Sequence, residues 1–268
     1  MKIGIITPTY NRPELLLRLH KTLLVTGSGV DWLHCVVNDG SAANYEAVRG
    51  VCERLSGRLI YKRITNSGPL AARNHAIDLA LEAGCSHLCF IDDDDYAVNE
   101  GLGAIGRKIN EFPDNLWFVF KSDKKNCQDN FFWPEDATVL SWFEDIVLNR
   151  RLGSDNMIVV AAKLIGGTRF DPKGRNQREW TFFLDLSDKQ GQVLVFSDVV
   201  RCVEYQENGL TAQTRRVMLT SLEQISNNLE RAFRYWIRLP TSINLTFNLI
   251  KQILLTPTRL ILFYFWRR

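Results

Sequence analysis

Short apolar runs alternate with amphipathic stretches over the first hundred residues. Lys2 to Thr7 is an isoleucine-rich run that predicts a buried strand, ended by Pro8. Asn11 is placed to cap a helix that has Arg12 and Pro13 in its first turn and Leu15, Leu16, Leu19 and Leu23 on its apolar face. Leu33 to Val37 predicts the second strand, closed by Asn38-Asp39-Gly40-Ser41, and a helix over roughly 43–55 follows. Arg58 to Arg63 is the third strand, Asn66-Ser67-Gly68-Pro69 a turn, and Pro69 opens a helix running to Ala83. His87 to Ile91 is the fourth strand, and four aspartates follow it. This order predicts an α/β fold, a mostly parallel sheet flanked by helices. Ligands bind such sheets beyond the carboxyl ends of the strands. The polar clusters at 7–12, 38–41, 65–68 and 92–95 all fall at such ends, so they predict one site on one edge.

The second half is less regular. Leu116 to Phe120, Met157 to Ala161 and Val193 to Tyr205 have strand character, and Glu179 to Leu186 reads as a helix after the basic loop 171–178. In the tail, Leu229, Ala232, Phe233, Trp236 and Ile237 recur at helical spacing, with Arg231, Arg234 and Arg238 on another face, until Pro240. A second apolar stretch, Ile243 to Trp266, is interrupted by Lys251, Pro257 and Arg259. Its longest uncharged run is too short for a spanning helix, which predicts a tail lying in a membrane interface rather than crossing it. The expected organisation is a catalytic domain over 1–215, with a nucleotide-binding half (1–110) and an acceptor half (111–215), then a basic amphipathic tail over 216–268.

Composition narrows the class. The chain has 268 residues, 46% hydrophobic and 24% charged, which excludes a wholly disordered, collagen-like or polytopic membrane protein. The net charge of +3 is unevenly spread. From Arg215 onward nine basic residues face only Glu223 and Glu230, a balance of +7, and the remainder carries −4. A basic, aromatic-rich tail predicts contact with an anionic surface, and its apolar content favours a membrane over nucleic acid. The cysteines at 35, 52, 85, 89, 127 and 202 lack metal-ligand spacing and predict reduced, buried thiols of a cytosolic protein. No secretory signal is expected, because the first apolar run is short and meets Thr7-Pro8-Thr9.

The strongest chemical signal is Asp92-Asp93-Asp94-Asp95. Like carboxylates at the end of a buried strand repel unless a cation compensates, and hard oxygen ligands suit Mg²⁺ or Mn²⁺; the plainer alternative is a solvated acidic turn. Asp39 could accept from a base or ribose, or simply order its own loop. Arg73 could meet phosphate near a helix start, or lie in solvent. Glu179, between Arg178 and Trp180, could take a proton from a hydroxyl, or merely favour its helix dipole. Gly-x-Gly-x-x-Gly, Walker and Gly-x-Ser-x-Gly elements are absent.

Together these residues resemble family 2 glycosyltransferases of the GT-A fold. Thr7-Pro8-Thr9-Tyr10-Asn11-Arg12 is similar to their opening strand and loop, and Val37-Asn38-Asp39-Gly40-Ser41 to their second-strand motif, with Asn38 in place of the usual first Asp. Asn66-Ser67-Gly68 and Ala72-Arg73-Asn74 resemble their Asn-x-Gly and Ala-Arg-Asn element, and Asp92 to Asp95 their metal-binding Asp-x-Asp. Phe170-Asp171 and Arg178-Glu179-Trp180 resemble a later Phe-Asp and Glu-Asp-Trp segment, with Arg178 in place of the first acid. The Gln-x-x-Arg-Trp motif of processive synthases is absent, which predicts transfer of a single residue.

The resemblance implies a metal-dependent, inverting transfer from a nucleotide-diphosphate sugar, most often a UDP-sugar. Thr7, Pro8, Tyr10, Asn11, Arg12, Asp39, Asn66, Gly68, Arg73, Asp92 and Asp93 would line the donor site. Asp94, with Asp92, would hold Mn²⁺ or Mg²⁺, and Glu179 would be the base. Lys173, Arg175 or Arg178 would close over the diphosphate, and Trp133, Trp142 or Trp180 would stack on the acceptor. The expected acceptor is a glycan, lipid-linked oligosaccharide or lipopolysaccharide, met at the cytoplasmic face of a membrane by a peripheral enzyme. Alternatively the tail's apolar faces pack on the catalytic domain or pair two copies. Rival functions are a sugar-nucleotide nucleotidyltransferase and a non-catalytic binding protein.

Overall fold

The computed structural model describes residues 1–98, 100–125, 131, 133–152, 155–173, 178–204, 206 and 222–266, with backbone alone at 47, 52, 53, 55, 56, 222–224 and 257–266. Arg175, Cys127, Arg215, Arg267 and Arg268, and the side chains of Cys52, Leu260, Phe263 and Phe265, lie outside the described residues. So does the expected boundary at 215/216. The chain forms two compact units, Met1–Arg175 with Glu179–Tyr205, and Asn176–Arg178 with Gln206–Arg268.

The first unit opens as expected: β1 (Ile3–Thr9), α1 (Pro13–Thr26), β2 (Trp32–Asp39), α2 (Glu46–Ser56), β3 (Leu59–Ile64), α3 (Pro69–Glu82) and β4 (His87–Phe90). There follow β5 (Tyr96–Ala97), α4 (Gly101–Glu111), β6 (Trp117–Lys124), β7 (Thr138–Ser141), a π-helical segment (Trp142–Leu148), β8 (Met157–Ala161), α5 (Ala162–Ile165), α6 (Glu179–Lys189) and β9 (Gln192–Val203). The described strands form one sheet ordered β3-β2-β1-β4-β8-β6-β9-β5, and β7 shares the outer edge of the long β9. The β3-β2-β1-β4 half is parallel. Beyond β4 the sheet is mixed, because β8 runs antiparallel to both β4 and β6.

Strand alternation divides the core between two faces. Ile6, Trp117, Val119, Val193 and Val195 pack with Leu70, Ala76 and Ile77 of α3. Ile3, Ile5, Phe118, Phe120, Leu194 and Phe196 pack with Leu19 and Leu23 of α1 and Leu102, Ile105 and Ile109 of α4. Strands buried on both faces read as continuous apolar runs, which is why the sequence reveals them. Trp142 stacks on Trp117 at 4.6 Å and is buried, so it belongs to this core rather than to a sugar platform. The described cysteines 35, 85, 89 and 202 are free and buried, as expected.

Pro8 does not end β1, which continues to Thr9 beside Asn38. The Ile6 carbonyl accepts from the Ile91 amide at 3.2 Å, so Pro8, two residues on, faces the same side beyond the end of β4, where no partner needs its missing N–H. The chain winds outward from β1 to β3 and then returns to place β4 on the other side of β1. This reversal opens a crevice between the carboxyl ends of β1 and β4.

The second unit contains α7 (Leu222–Trp236) and α8 (Ile243–Trp266). The expected interruptions do not break α8, which forms one helix through Pro257 at the cost of one backbone hydrogen bond. Ile225, Ala232 and Leu245 are buried, whereas Phe233, Ile237, Ile243, Phe247, Ile253 and Leu254 are exposed. Among the described residues no helix is long and apolar enough to cross a membrane.

Beneath the crevice, His20 Nδ1 lies 3.0 Å from His34 Nδ1, and His34 Nε2 lies 3.0 Å from Thr7 Oγ1. Thr7 donates to the Ile91 carbonyl at 2.8 Å, so His34 donates from Nε2, accepts at Nδ1, and takes its partner's proton from His20 Nδ1. Two neutral rings satisfy this arrangement, with one proton on His34 Nε2 and one on His20 Nδ1. Burial pushes His20 down to about 4, and burial with the neighbouring His20 holds His34 well below the usual range. The unfolded chain binds these protons near pH 6.5 and the folded chain does not, so this pair loses stability as pH falls from about 6.5 toward 4. Burial raises Asp93 and Asp95 to about 7, which acts in the opposite direction over this range. The stability of the native chain relative to a His20→Gln variant should therefore shrink on acidification in urea titrations. Ring ¹⁵N spectra at about pH 5.5 should show one proton on each ring, whereas an imidazolium at either position would refute the pairing.

Candidate active site

The loop after β1 is braced against its neighbours before it meets any ligand. Asn11 adopts φ 55°, a left-handed conformation that asparagine tolerates. It does not cap α1: the cap position is Arg12, which makes no side-chain capping bond. Instead Asn11 Oδ1 accepts from the amides of Ala42 and Ala43 at 2.8 and 3.1 Å, and its own amide donates to Ser41 Oγ at 2.9 Å. Tyr45 Oη accepts from the Arg12 amide at 2.9 Å and donates to Thr9 Oγ1 at 2.8 Å, and Thr9 donates to Asp93 Oδ2 at 2.7 Å. Tyr10 stays exposed at the rim.

Asp39 orders a neighbouring loop rather than its own. Its Oδ1 accepts from the Ser67 amide at 2.7 Å and its Oδ2 from the Gly68 amide at 2.9 Å, and the Asn66 side chain donates to its carbonyl. Gly40 allows this approach: it sits at φ 72°, and a β-carbon there would lie 2.7 Å from the Asn66 nitrogen. Asn38 is buried, accepts from the Ser41 amide and donates to Tyr61 Oη at 2.6 Å. Gly40, Arg63, Ile64, Thr65 and Asn66 line an open crevice at this end of the sheet. Thr65 belongs to the polar cluster expected at this edge, whereas Arg63 carried no motif and was not foreseen.

The four aspartates are engaged by three arginines and a threonine. Asp92 Oδ1 meets Arg73 Nη2 at 2.5 Å. Asp93, buried, meets Thr9 and lies 3.2 Å from Arg12, and Asp94 lies 2.7 Å from the same guanidinium. Asp95 pairs with buried Arg201 at 3.0 Å, and Arg201 also donates to Ser122 Oγ and to the carbonyl of Asp155. Arg18 reaches Glu204 and the Asp94 carbonyl. Arg201 and Arg18 sit in stretches without a recognisable motif, and only the surplus of acid at 92–95 hinted that such partners existed.

The electrostatics follow from these pairings. Burial pushes Asp92 upward, but Arg73, aided by Arg201 and Arg12, outweighs it and holds the carboxyl below its ordinary value. Asp93 is pushed up to about 7 by burial, against Thr9 and Arg12. Asp95 is raised to about 7 by burial against Arg201. Asp94 is raised by burial and by Asp92, more than Arg12 can offset.

Arg73 joins the two halves of the site. Its other terminal nitrogen, Nη1, contacts Glu179 Oε1, so one guanidinium bridges Asp92 and the first residue of α6. The Asp92 and Glu179 side chains are 46% and 44% exposed and Arg73 only 11%, an arginine seated behind two accessible carboxylates. Its neighbour Asn74 donates to the Phe170 carbonyl and accepts from the Phe170 amide, both at 2.8 Å. One turn on, Asp78 takes Arg169 through Nε and Nη2.

Of the expected site residues, ion pairs bring together Arg12 with Asp94, and Arg73 with Asp92 and Glu179. Thr7 and Pro8 lie a layer below, and the Thr7 hydroxyl is committed to Ile91. Asn11, Asp39, Asn66, Gly68 and Asp93 brace the loops. The Arg178 guanidinium, expected over a diphosphate, is paired with Glu230. Among the described residues no group of three or more His, Cys, Asp or Glu forms a ready metal cage. Asp92 and Asp94 nevertheless suit a hard cation that shares its remaining shell with phosphate oxygens and water, since both are carboxylates on one short segment at the crevice.

Known proteins carry the same plan. A family model described as Glycosyl transferase family 2 matches residues 4–163, more than half of the chain. No curated protein sequence matches it. Among solved structures it is similar to S. aureus TarS 1–349 in complex with UDP-GlcNAc, with TM-score 0.67 and 18% identity over 94% of this chain and 79% of that one. The complex of TarS 1–349 with UDP gives 0.63 and 19%, over 85% and 69%. S. aureus TarS gives 0.64 and 19%, over 88% of this chain but 44% of that one, so the chain spans less than half of its length. At this identity the likeness speaks for the fold.

The Asp39 pairing has a measurable consequence. Asp39→Asn retains one acceptor but turns a donor toward one of two amides, so about 2 kcal/mol of stability should be lost. Urea unfolding would read it, and an unchanged midpoint would refute the bracing role.

Proposed function

We propose that this chain, which belongs to glycosyl transferase family 2, moves one sugar from a UDP-sugar to a hydroxyl group of a glycan acceptor with inversion. Membership supports glycosyl transfer over the nucleotidyltransferase and non-catalytic alternatives. The observation that carries the finer reading is the Arg73 bridge, which puts an accessible Asp92 and an accessible Glu179 at one crevice. The neighbour that binds UDP-GlcNAc supports a uridine donor.

In this reading Tyr10 and the Asp39 loop receive the nucleoside, and Arg12 and Arg73 face the diphosphate. Asp92 and Asp94 would hold Mn²⁺ or Mg²⁺, which when bound supplies Lewis-acid neutralisation of the leaving diphosphate. Glu179 takes the proton of the acceptor hydroxyl as that oxygen bonds to the anomeric carbon. The bond from that carbon to the diphosphate breaks on the opposite face, and UDP leaves. A single displacement inverts the centre.

The tail supports a place at an anionic membrane, with a lipid-linked oligosaccharide or lipopolysaccharide as acceptor and the enzyme peripheral on the cytoplasmic face. Ile243, Phe247, Ile250, Ile253 and Leu254 are exposed along α8, with Arg231 and Lys251 exposed in the same unit.

Glu179→Gln should lower kcat by about 10²-fold or more while UDP binding persists, read by donor turnover and calorimetry. Turnover at the native rate would remove Glu179 from the base role. A UDP-sugar at 100 times its Kd should stabilise the chain by about 2.7 kcal/mol in Mn²⁺ and less in EDTA. The native chain should sediment with phosphatidylglycerol vesicles, and Phe247→Asp with Ile253→Asp should release it. A native chain that stays in the supernatant as a dimer would assign these side chains to self-association instead.

A further inference from the structure

We infer that Asn74 and Phe170 are positioning residues for Glu179: Asn74 fixes Phe170, and the Phe170 ring seats the helix that carries the carboxylate. This inference rests on the role of Glu179 proposed above. Neither residue has a part in that chemistry, and both belong to the first compact unit, as do Arg73, Phe90, Asp92, Glu179 and Phe182.

Asn74 pairs with Phe170 as a neighbouring strand would. Its side-chain amide donates to the Phe170 carbonyl and accepts from the Phe170 amide, both at 2.8 Å. One planar group thus satisfies both backbone groups of one residue, which sets orientation as well as distance. Asparagine is a poor helix former, yet α3 carries it in the turn after its start. The helix beneath it is firmly placed, with Leu70, Ala72, Ala76 and Ile77 buried.

The ring so fixed lies at the meeting point of three site residues. Phe170 is buried and stacks on Phe182, with centroids 4.0 Å apart and planes within 18°. Phe182 is three residues after Glu179 in α6, on the adjoining turn. Phe90 meets both rings edge-on at 5.8 Å, and it ends β4 two residues before Asp92. Arg73 Cζ lies 5.9 Å from the Phe170 centroid, and the same guanidinium joins Asp92 to Glu179. Packed rings prefer discrete edge and offset arrangements and do not slide continuously. A displaced Phe170 therefore shifts α6 against β4, and with it Glu179 against Asp92 and Arg73. A misplacement of about 1 Å is enough to lower a rate by about 10²-fold.

The test uses the full chain with Asn74→Ala and, as an independent perturbation, Phe170→Leu, which keeps an apolar side chain and removes the flat ring. All rates are compared at a temperature below every unfolding midpoint. Exchange of the Phe170 amide hydrogen reads the pairing without activity. Hydrolysis of UDP-GlcNAc by water reads its consequence, with UDP-glucose and UDP-galactose run alongside so that one wrong sugar does not hide the effect. Asn74→Ala should speed exchange at Phe170 by about tenfold or more. Both variants should lower kcat by about 10- to 100-fold with UDP affinity unchanged in calorimetry. In a Glu179→Gln background either change should lower the remaining rate by less than about twofold, because no base is left to misplace. A merely structural role would carry its full loss into that background, which overturns the inference and leaves the base. Unchanged exchange at Phe170 in Asn74→Ala, or weakened UDP binding at native kcat, overturns it as well. Native turnover by Glu179→Gln alone removes the base, and the inference with it.

Discussion

Compensation of a partly buried carboxylate run is the constraint on which the candidate site is organised. Four aspartates follow β4 at the centre of the sheet, and two of them, Asp93 and Asp95, are buried, where an unpaired charge costs several kcal/mol. No single element can neutralise them. Arg12 comes from the loop after β1, Arg73 from α3 and Arg201 from β9. Removing any one arginine would strand a charge in the crevice. The pairs therefore contribute less to net stability than to a requirement that the loops be placed together.

The same pairs explain how distant segments reach one place. Along α3, Arg73, Asn74 and Asp78 hold Asp92 and Glu179, Phe170, and Arg169 in turn. The helix acts as a splint joining the parallel half of the sheet to the segment that leads toward α6. Phe170 then stacks on Phe182 at 4.0 Å, so the apolar side of α6 is fixed by the core while its first residue faces the crevice. Glu179 and Phe182 are three residues apart, so one turn of the helix carries both the site residue and its core anchor.

Much of the parallel half was legible because strands covered on both faces must be continuously apolar, and the breaks between them then expose the polar loops. The site's location followed from that alone. What escaped has physical reasons. Helix α4 begins with Gly101, a poor helix former, present because a β-carbon would lie 2.3 Å from the Val200 carbonyl oxygen. Tertiary packing overrides propensity there. Strand β7 and the π-helical segment after it are defined by pairing with β9 and by Ser141 accepting from the Glu144 amide, neither of which leaves a periodic trace. Motif matching marked Thr7 and Asp92 as equivalents, but only pleat direction separates a hydroxyl turned inward to Ile91 from a carboxylate at the surface. The division of labour among Asp92 to Asp95 was likewise invisible, because it is set by arginines 12, 73 and 201.

Charge balance also accounts for the two departures from the family pattern. Position 38 usually carries an acid, yet Asn38 occupies it, buried beside Asp39. An aspartate could accept from the Ser41 amide equally well, so hydrogen bonding does not require the change. A further buried negative charge would, however, fall at the edge that already holds Asp39 and the carboxylates of 92–95, whose arginines are fully engaged by the acids present. Position 178 repeats the pattern: an acid is absent beside Glu179, and the arginine there is matched by Glu230. Both substitutions remove a negative charge from the neighbourhood of the site.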